Sequence, residues 1–296
     1  MWVDRAKYID QGVHLTLIIC VLVTVVTTGT VLLILGKESL YFFSQVSPFD
    51  FLFGTRWEPL LEPKSFGVLP LVCGTLLIVV GSMLLAVPVG LLIAAYLNEF
   101  ADSRICAVVK PMLEILAGIP TVVYGYFALT FITPTLKMIL PEIQVFNALS
   151  AAVVVGIMIL PMISSLCDDA FRSVPSDLRD GAYALGATPY EVTTQIVLPA
   201  AQSRVGASIV LAVSRAIGET MAVTLAAGAT PTMTLNPLES IQTMTAYMVQ
   251  VSLGDTPAGG IEYQTCFAVA ALLFVMTLTM NMLGNHFISS DKRRAL

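Results

Sequence analysis

Arg215 and Glu219 stand four residues apart in the stretch SRAIGET (214–220), with LAV before it and MAV after it. Four residues make about one helical turn, so on a continuous helix the two would share a face and could pair. A guanidinium is permanently charged, and its fork of donors matches the oxygens of a small oxyanion. Ser214 and Thr220 add hydroxyls at the two ends of the stretch. Two uses of the pair are open. It can be a buried ion pair that only fixes helix packing. Alternatively, Arg215 lines a path and meets an anion, while Glu219 holds the arginine between visits and keeps the anion from binding too tightly to leave.

The surroundings decide how costly such a pair is. Of the 296 residues, 56% are hydrophobic and 12% are charged, about half the roughly 25% charged that is usual for a soluble domain. A water-soluble protein of this size cannot hide that much apolar surface, so the composition implies a polytopic membrane protein. Six spans are expected, over 14–35, 74–97, 113–132, 148–166, 205–228 and 264–284, each near the ~20 residues needed to cross hydrocarbon. Pro88 should bend the second. Arg215 falls eleventh in the 24-residue fifth span, where an unpaired, lipid-facing Arg costs about 2.5–3.5 kcal/mol. Small residues surround it (Gly206, Ala207, Ala212, Ala216, Gly218 and Ala222), which suits a helix inside the bundle.

Lys and Arg in the connections set the direction. Ten fall on one side: Arg5, Lys7, Arg104, Lys110, Arg172, Arg179, Arg204, Lys292, Arg293 and Arg294. Four (Lys37, Arg56, Lys64, Lys137) fall on the other. Both termini are therefore expected in the cytoplasm. The division is a segment 1–13, a permease region 14–286 containing a cytoplasmic loop 174–201, and a tail 287–296.

Other chemistry is sparse. The five cysteines (20, 73, 106, 167 and 266) are scattered without a C-x-x-C pair, so neither zinc nor a required disulfide is expected. His14 and His286 lie at span ends without metal-ligand spacing, and Asp168 and Asp169 suit a solvated inner rim. The net charge of −5, with no basic patch, does not suggest nucleic acid. No nucleophile–base pair points to an enzyme. LGKES (35–39) lacks the upstream glycine of a phosphate-binding loop, so ATP is not bound by such a loop here. Gly118 and Pro120 in AGIPTVVYG, followed by Thr121, either break the third helix toward a substrate or kink it for packing. The outer segments ESLYFFSQVSPFDFLFGTRWEPL and PLESIQTMTAYMVQVS are expected to be interfacial and a short helix over the mouth, respectively, or plain connections.

The longest cytoplasmic connection, VPSDLRDGAYALGATPYEVTTQIVLPAA, reads as two short helices around a corner. Ser176 and Asp177 suit a start, and Leu178, Ala182 and Leu185 share a face. Gly186 suits a left-handed stop. Thr188, Pro189 and Glu191 form a T-P-x-E capping box, and Pro199 should end the regular structure. Such an elbow can dock a partner or merely join two spans.

This elbow resembles the E-A-A, three residues, Gly, nine residues, I-x-L-P pattern of ABC importer permeases. Asp180-Gly181-Ala182, Gly186 and Ile196-Val197-Leu198-Pro199 keep both spacings, with Asp for Glu and Gly for Ala. In that family the elbow is the coupling helix and sits in a groove of a separate ATPase. GTRWEP, FGVLPLVCGTL, AVPVGLLIAAYLNEFA, ILAGIPTVVYG and SRAIGETMAV are together similar to the membrane subunits of high-affinity phosphate importers, and GETMAV favours their C-type (PstC) family.

The resemblance implies an all-α, six-span type I ABC importer permease fold in a bacterial inner membrane, carrying no cofactor, with ATP and Mg used by the ATPase. It implies an A-type permease partner, two ATP-binding subunits and an extracytoplasmic phosphate-binding protein, with alternating access as the mechanism. Residues 214, 215, 219 and 220, with 120 and 121, would then lie along the phosphate path. The same machine for sulfate or molybdate, or a secondary carrier using Glu219 as a proton site, are the competing readings.

Overall fold

The computed structural model describes residues 2–254, 256 and 259–292, with side chains described for 12–254, 256 and 259–284. The side chains of Arg5, Lys7, His286, Lys292, Arg293 and Arg294 lie outside that set.

Apolar periodicity and length produce helices nearly throughout. The chain runs α1 (Trp2–Gln45), α2 (Pro48–Phe53), a two-residue pair of strands β1 (Trp57–Glu58) and β2 (Ser65–Phe66), then α3 (Leu69–Ala95), which continues through a π-helical turn to Phe100. Next come α4 (Ser103–Gly118), α5 (Thr121–Phe127) and, after a π-helical turn, α6 (Thr133–Ile139), followed by α7 (Ala148–Arg172). The elbow is α8 (Ser176–Ala184) and α9 (Pro189–Glu191). A π-helical turn (Val192–Val197) leads into α10 (Leu198–Ile217), and α11 (Met221–Ala226), α12 (Met244–Leu253) and α13 (Ile261–Lys292) complete the chain. In the strand pair, Trp57 opposes Phe66 in antiparallel register.

Among the described residues six helical stretches are long and apolar enough to cross a membrane. The apolar stretch of α1 is exposed along its length, whereas α7 is the innermost span. The exposed Leu, Ile and Val of α1 suit a hydrocarbon surrounding, which is as apolar as they are. α7 buries Val154, Val155, Ile159 and Ile163 and packs most extensively on α3. Contact there is backbone-close: a Cβ on Gly90 would lie 2.7 Å from Cγ2 of Ile163. α3 runs on through Pro88.

Two expected spans are interrupted. The third is broken at Ile119 and Pro120, both extended, between α4 and α5. The continuous part is Thr121–Ile139. Proline keeps its predecessor out of the helical region, which explains the site of the break. The fifth is Pro189–Ile217, ending at Gly218, with α11 beginning three residues later. The two half-helices that follow the breaks touch: a Cβ on Gly125 of α5 would lie 3.0 Å from Cα of Ala222 in α11.

Pro199 does not end the regular structure. It sits in the first turn of α10, and the preceding π-helical turn absorbs its missing donor, with the Leu198 N–H bonding the Thr193 carbonyl. Ser176 starts α8, as expected, with Pro175 in the cap position. The outer segment 38–60, which begins within the end of α1, is not simply interfacial: Phe42, Phe51 and Trp57 are fully buried, and Trp57 packs edge-on against Tyr247 of α12 at 4.9 Å. α12 is the short helix expected here, and it buries Met244, Ala246, Tyr247 and Val251 against its neighbours. Its cap is Thr243, whose hydroxyl accepts the Ala246 N–H. At the start of α7 the orphan donors of Ala148 and Leu149 are taken by the carbonyls of Glu239 and Pro237, and Asn147 caps Ser150.

Candidate functional site

Arg215 lies in the last turn of α10, where a cation is favoured by the helix dipole. Its side chain is exposed and lines a cleft of about 460 Å³ between α4, α7 and α10. Among the described residues it makes no ion pair.

Glu219 does not pair with it. The helix ends at Ile217, so the one-turn relation that would bring the carboxylate beside the guanidinium is lost. Glu219 is buried, and its Oε1 accepts the Ala222 N–H at 3.3 Å, capping α11. Its backbone carbonyl accepts the Thr245 hydroxyl at 2.7 Å. Ser214 donates to the Val210 carbonyl and meets Oδ1 of Asn281 on α13 at 2.9 Å. Thr220 donates to the Gly218 carbonyl at 3.0 Å.

Pro120 forms the N-cap position of α5 and Thr121 its first residue, and the Tyr124 hydroxyl bridges the break to the Leu116 carbonyl at 2.7 Å. Of the six expected path residues, Arg215 alone borders the cleft; the others shape the two helix breaks or face α13.

The cleft contains charges that sequence reasoning assigned elsewhere. Asp168 was expected on a solvated rim but its side chain is 7% exposed. Lys110 of α4 reaches its Oδ2 at 2.5 Å, Arg172 reaches the same oxygen at 3.2 Å from one turn along α7, and Asn98 donates to Oδ1 at 3.2 Å. A carboxylate removed from water needs such partners. Asp169 is exposed, as expected. The Asp168–Arg172 spacing of four was the available signal; Lys110 and Asn98 come from distant sequence and gave none. With Lys110 and Arg172 both held by Asp168, Arg215 is the cleft's cation left open to an incoming anion.

The elbow is built as its residues suggested. Gly186 takes φ +86°, and the Gly186 and Ala187 N–H groups bond the Tyr183 and Ala182 carbonyls, closing a Schellman turn. Thr188 and Glu191 form the reciprocal capping box. Asp180 and Gly181 are exposed, Ala182 and Ile196 half-buried, and Leu198 and Pro199 exposed. Leu178 is 50%, Tyr190 69% and Leu185 91% exposed, an uncovered apolar surface at the corner. Arg179 turns inward: it donates to the Phe171 carbonyl at 2.7 Å and the Val174 carbonyl at 3.1 Å, and meets Glu99 Oε1 and Asn98 Oδ1 at 3.1 and 3.3 Å.

Residues 86–289 match the family described as binding-protein-dependent transport system inner membrane component. The chain is similar to the probable ABC transporter permease protein YqgH of Bacillus subtilis (strain 168), at 32% identity over 92% of this chain and 89% of that one. It is also similar to the phosphate transport system permease protein PstC of Haemophilus influenzae, at 31% identity over 81% of each chain. The PstC of Mesorhizobium japonicum is 30% identical over 81% of this chain and 78% of that protein.

A chain from the bacterial alginate ABC transporter, crystallised with alginate pentasaccharide-bound periplasmic protein, superposes with a TM-score of 0.61 at 17% identity. That match covers 90% of this chain and 93% of the other. A chain from the inward-facing MetNI methionine ABC transporter gives 0.57 at 16% identity, over 76% and 94%. The fold is that of the type I ABC importer permeases.

Proposed function

Since the chain belongs to the family of binding-protein-dependent transport system inner membrane components, we propose that it is the C-type membrane subunit of an ATP-driven importer for inorganic phosphate. The observation that carries the substrate class is Arg215, a guanidinium unpaired among the described residues, in a cleft whose other basic side chains are already engaged. The phosphate permeases among its relatives support the choice of anion.

The residues divide the work. Arg215 binds the anion weakly enough to release it, because one fork of donors in a water-reached cleft is not a closed cage. Glu219 and Thr245 hold the helix break that leaves Arg215 at a free helix end. Pro120 and Thr121 start the second half of the other broken span. The elbow, with Asp180 to Ala182, Gly186 and its exposed leucines, docks a separate ATPase, and Ile196, Leu198 and Pro199 join it to α10. ATP and Mg are used by that ATPase, two copies of which serve this subunit and an A-type partner permease. An extracytoplasmic binding protein delivers phosphate to the opposite face. The elbow and both termini, in segments 1–13 and 287–296, then lie in the cytoplasm.

The test is uptake of labelled phosphate in competition with sulfate, molybdate and arsenate, in cells that depend on this subunit. Competition by arsenate alone is expected. Equal competition by sulfate or molybdate would reassign the oxyanion, and uptake surviving ATP depletion with the proton gradient intact would remove the ATPase-driven reading.

A further inference from the structure

The elbow and the cleft are connected by one unbroken run of polar contacts. Arg179, on α8, is only 18% exposed and engages all three guanidinium nitrogens: two donors go to the carbonyls of Phe171 on α7 and Val174 just beyond it, and two to Glu99 and Asn98 in the π-helical turn that follows α3. The Asn98 amide has two ends. Its oxygen accepts from Arg179, and its nitrogen donates to Asp168 on α7, the carboxylate that holds Lys110 of α4. Asp168 and Lys110 border the cleft that contains Arg215.

We propose that Arg179, Asn98 and Asp168 are positioning residues forming a relay by which movement of the docked elbow is passed to the cleft and to Lys110 across it. The proposal rests on the transport reading above and adds named residues to it. A side chain held by four acceptors on two other elements cannot shift without moving them, and Asn98 has no slack because both of its ends are engaged. Displacing Asp168 changes the partner of Lys110, and so the charge that an anion near Arg215 meets. The glutamate partner matters separately: Glu99, with its side chain 6% exposed, neutralises Arg179 and keeps the rivet in place when Asn98 is altered.

The experiment uses the complete importer reconstituted in vesicles, with phosphate-loaded binding protein, and reads phosphate moved per ATP hydrolysed. Asn98→Asp keeps the shape and the acceptor for Arg179 but has no donor for Asp168. Arg179→Lys keeps the charge but not the fork. Each is expected to lower the ratio about fivefold or more, the scale of an allosteric coupling, while ATP hydrolysis stays near wild type. The double variant should be no worse than the poorer single one, as expected of residues acting on one path.

An unchanged ratio in Asn98→Asp overturns the relay, as do parallel losses of transport and hydrolysis, or losses that multiply in the double variant. Should Arg179→Lys fail to assemble, Asn98→Asp, which leaves the Arg179–Glu99 pair intact, decides alone. A wild-type complex that hydrolyses ATP but moves no phosphate is a different result, sinking the proposed function and the relay with it. A wild type that transports, with variants that do so equally well, sinks only the relay.

Discussion

Glu219 caps α11 through the Ala222 N–H while Arg215, four residues earlier, borders the cleft without an ion-pair partner among the described residues. Arg215 sits in the last turn of α10, whereas Glu219 lies in the break at 218–220 that precedes α11. The carboxylate therefore acts on the backbone, and the guanidinium is left to meet solute.

Replacing Arg215 removes the cleft's open cation and little packing. Arg215→Ala is expected to reduce phosphate uptake by about tenfold to a hundredfold, the worth of a charged hydrogen bond or two. Assembly with the ATPase should persist, checked by co-purification. Arg215→Lys should recover part of the uptake, since it keeps the charge but not the fork.

At Glu219 the expected outcomes divide by geometry. Glu219→Gln retains an acceptor for Ala222, so uptake should stay within about twofold of wild type. Glu219→Ala loses the cap and should destabilise the region by about 1 kcal/mol, visible as a lowered melting temperature in detergent. A collapse of transport in the Gln variant would return a charge role to this residue.

Gly186 adopts φ +86°, and a Cβ there would meet nothing within 4 Å. Its constraint is thus backbone conformation alone. Gly186→Val should cost about 1–2 kcal/mol locally and uncouple ATP hydrolysis from uptake by re-aiming the elbow. The measurement is hydrolysis and uptake side by side in reconstituted vesicles.

Leu185 is 91% exposed in the isolated chain, so its removal costs the subunit little. Leu185→Ala should leave the melting temperature unchanged but weaken binding of the partner ATPase by about tenfold or more, as for a buried anchor at an interface. Titration of the detergent-solubilised subunit with the ATPase would measure it.

Close packing of α3 on α7 makes a stability prediction. Gly90→Val drives a side chain into Ile163 and should destabilise by about 1–3 kcal/mol, read by unfolding in mixed micelles.

Much of the fold was legible from sequence because apolar length reports directly on a membrane-spanning chain. The elbow was legible too, since Gly186 and the Thr188–Glu191 box are local signals that need only neighbouring residues. The helix break at Gly218–Thr220 was not. Every residue from Val205 to Gly228 tolerates a helix, and the break is held by Thr245, 26 positions away from Glu219. Likewise Asp168 looked solvated because its partners Asn98 and Lys110 lie 70 and 58 residues distant. Local chemistry announces caps and turns, whereas burial of a charge depends on which distant elements fold against it.

At position 125 only the missing side chain of a glycine lets α5 lie against the backbone of α11. The segments beyond the two interruptions are consequently joined like the jaws of a single clamp, with joints at 119–120 and 218–220. A rearrangement that keeps this contact therefore moves both segments together and bends at both joints.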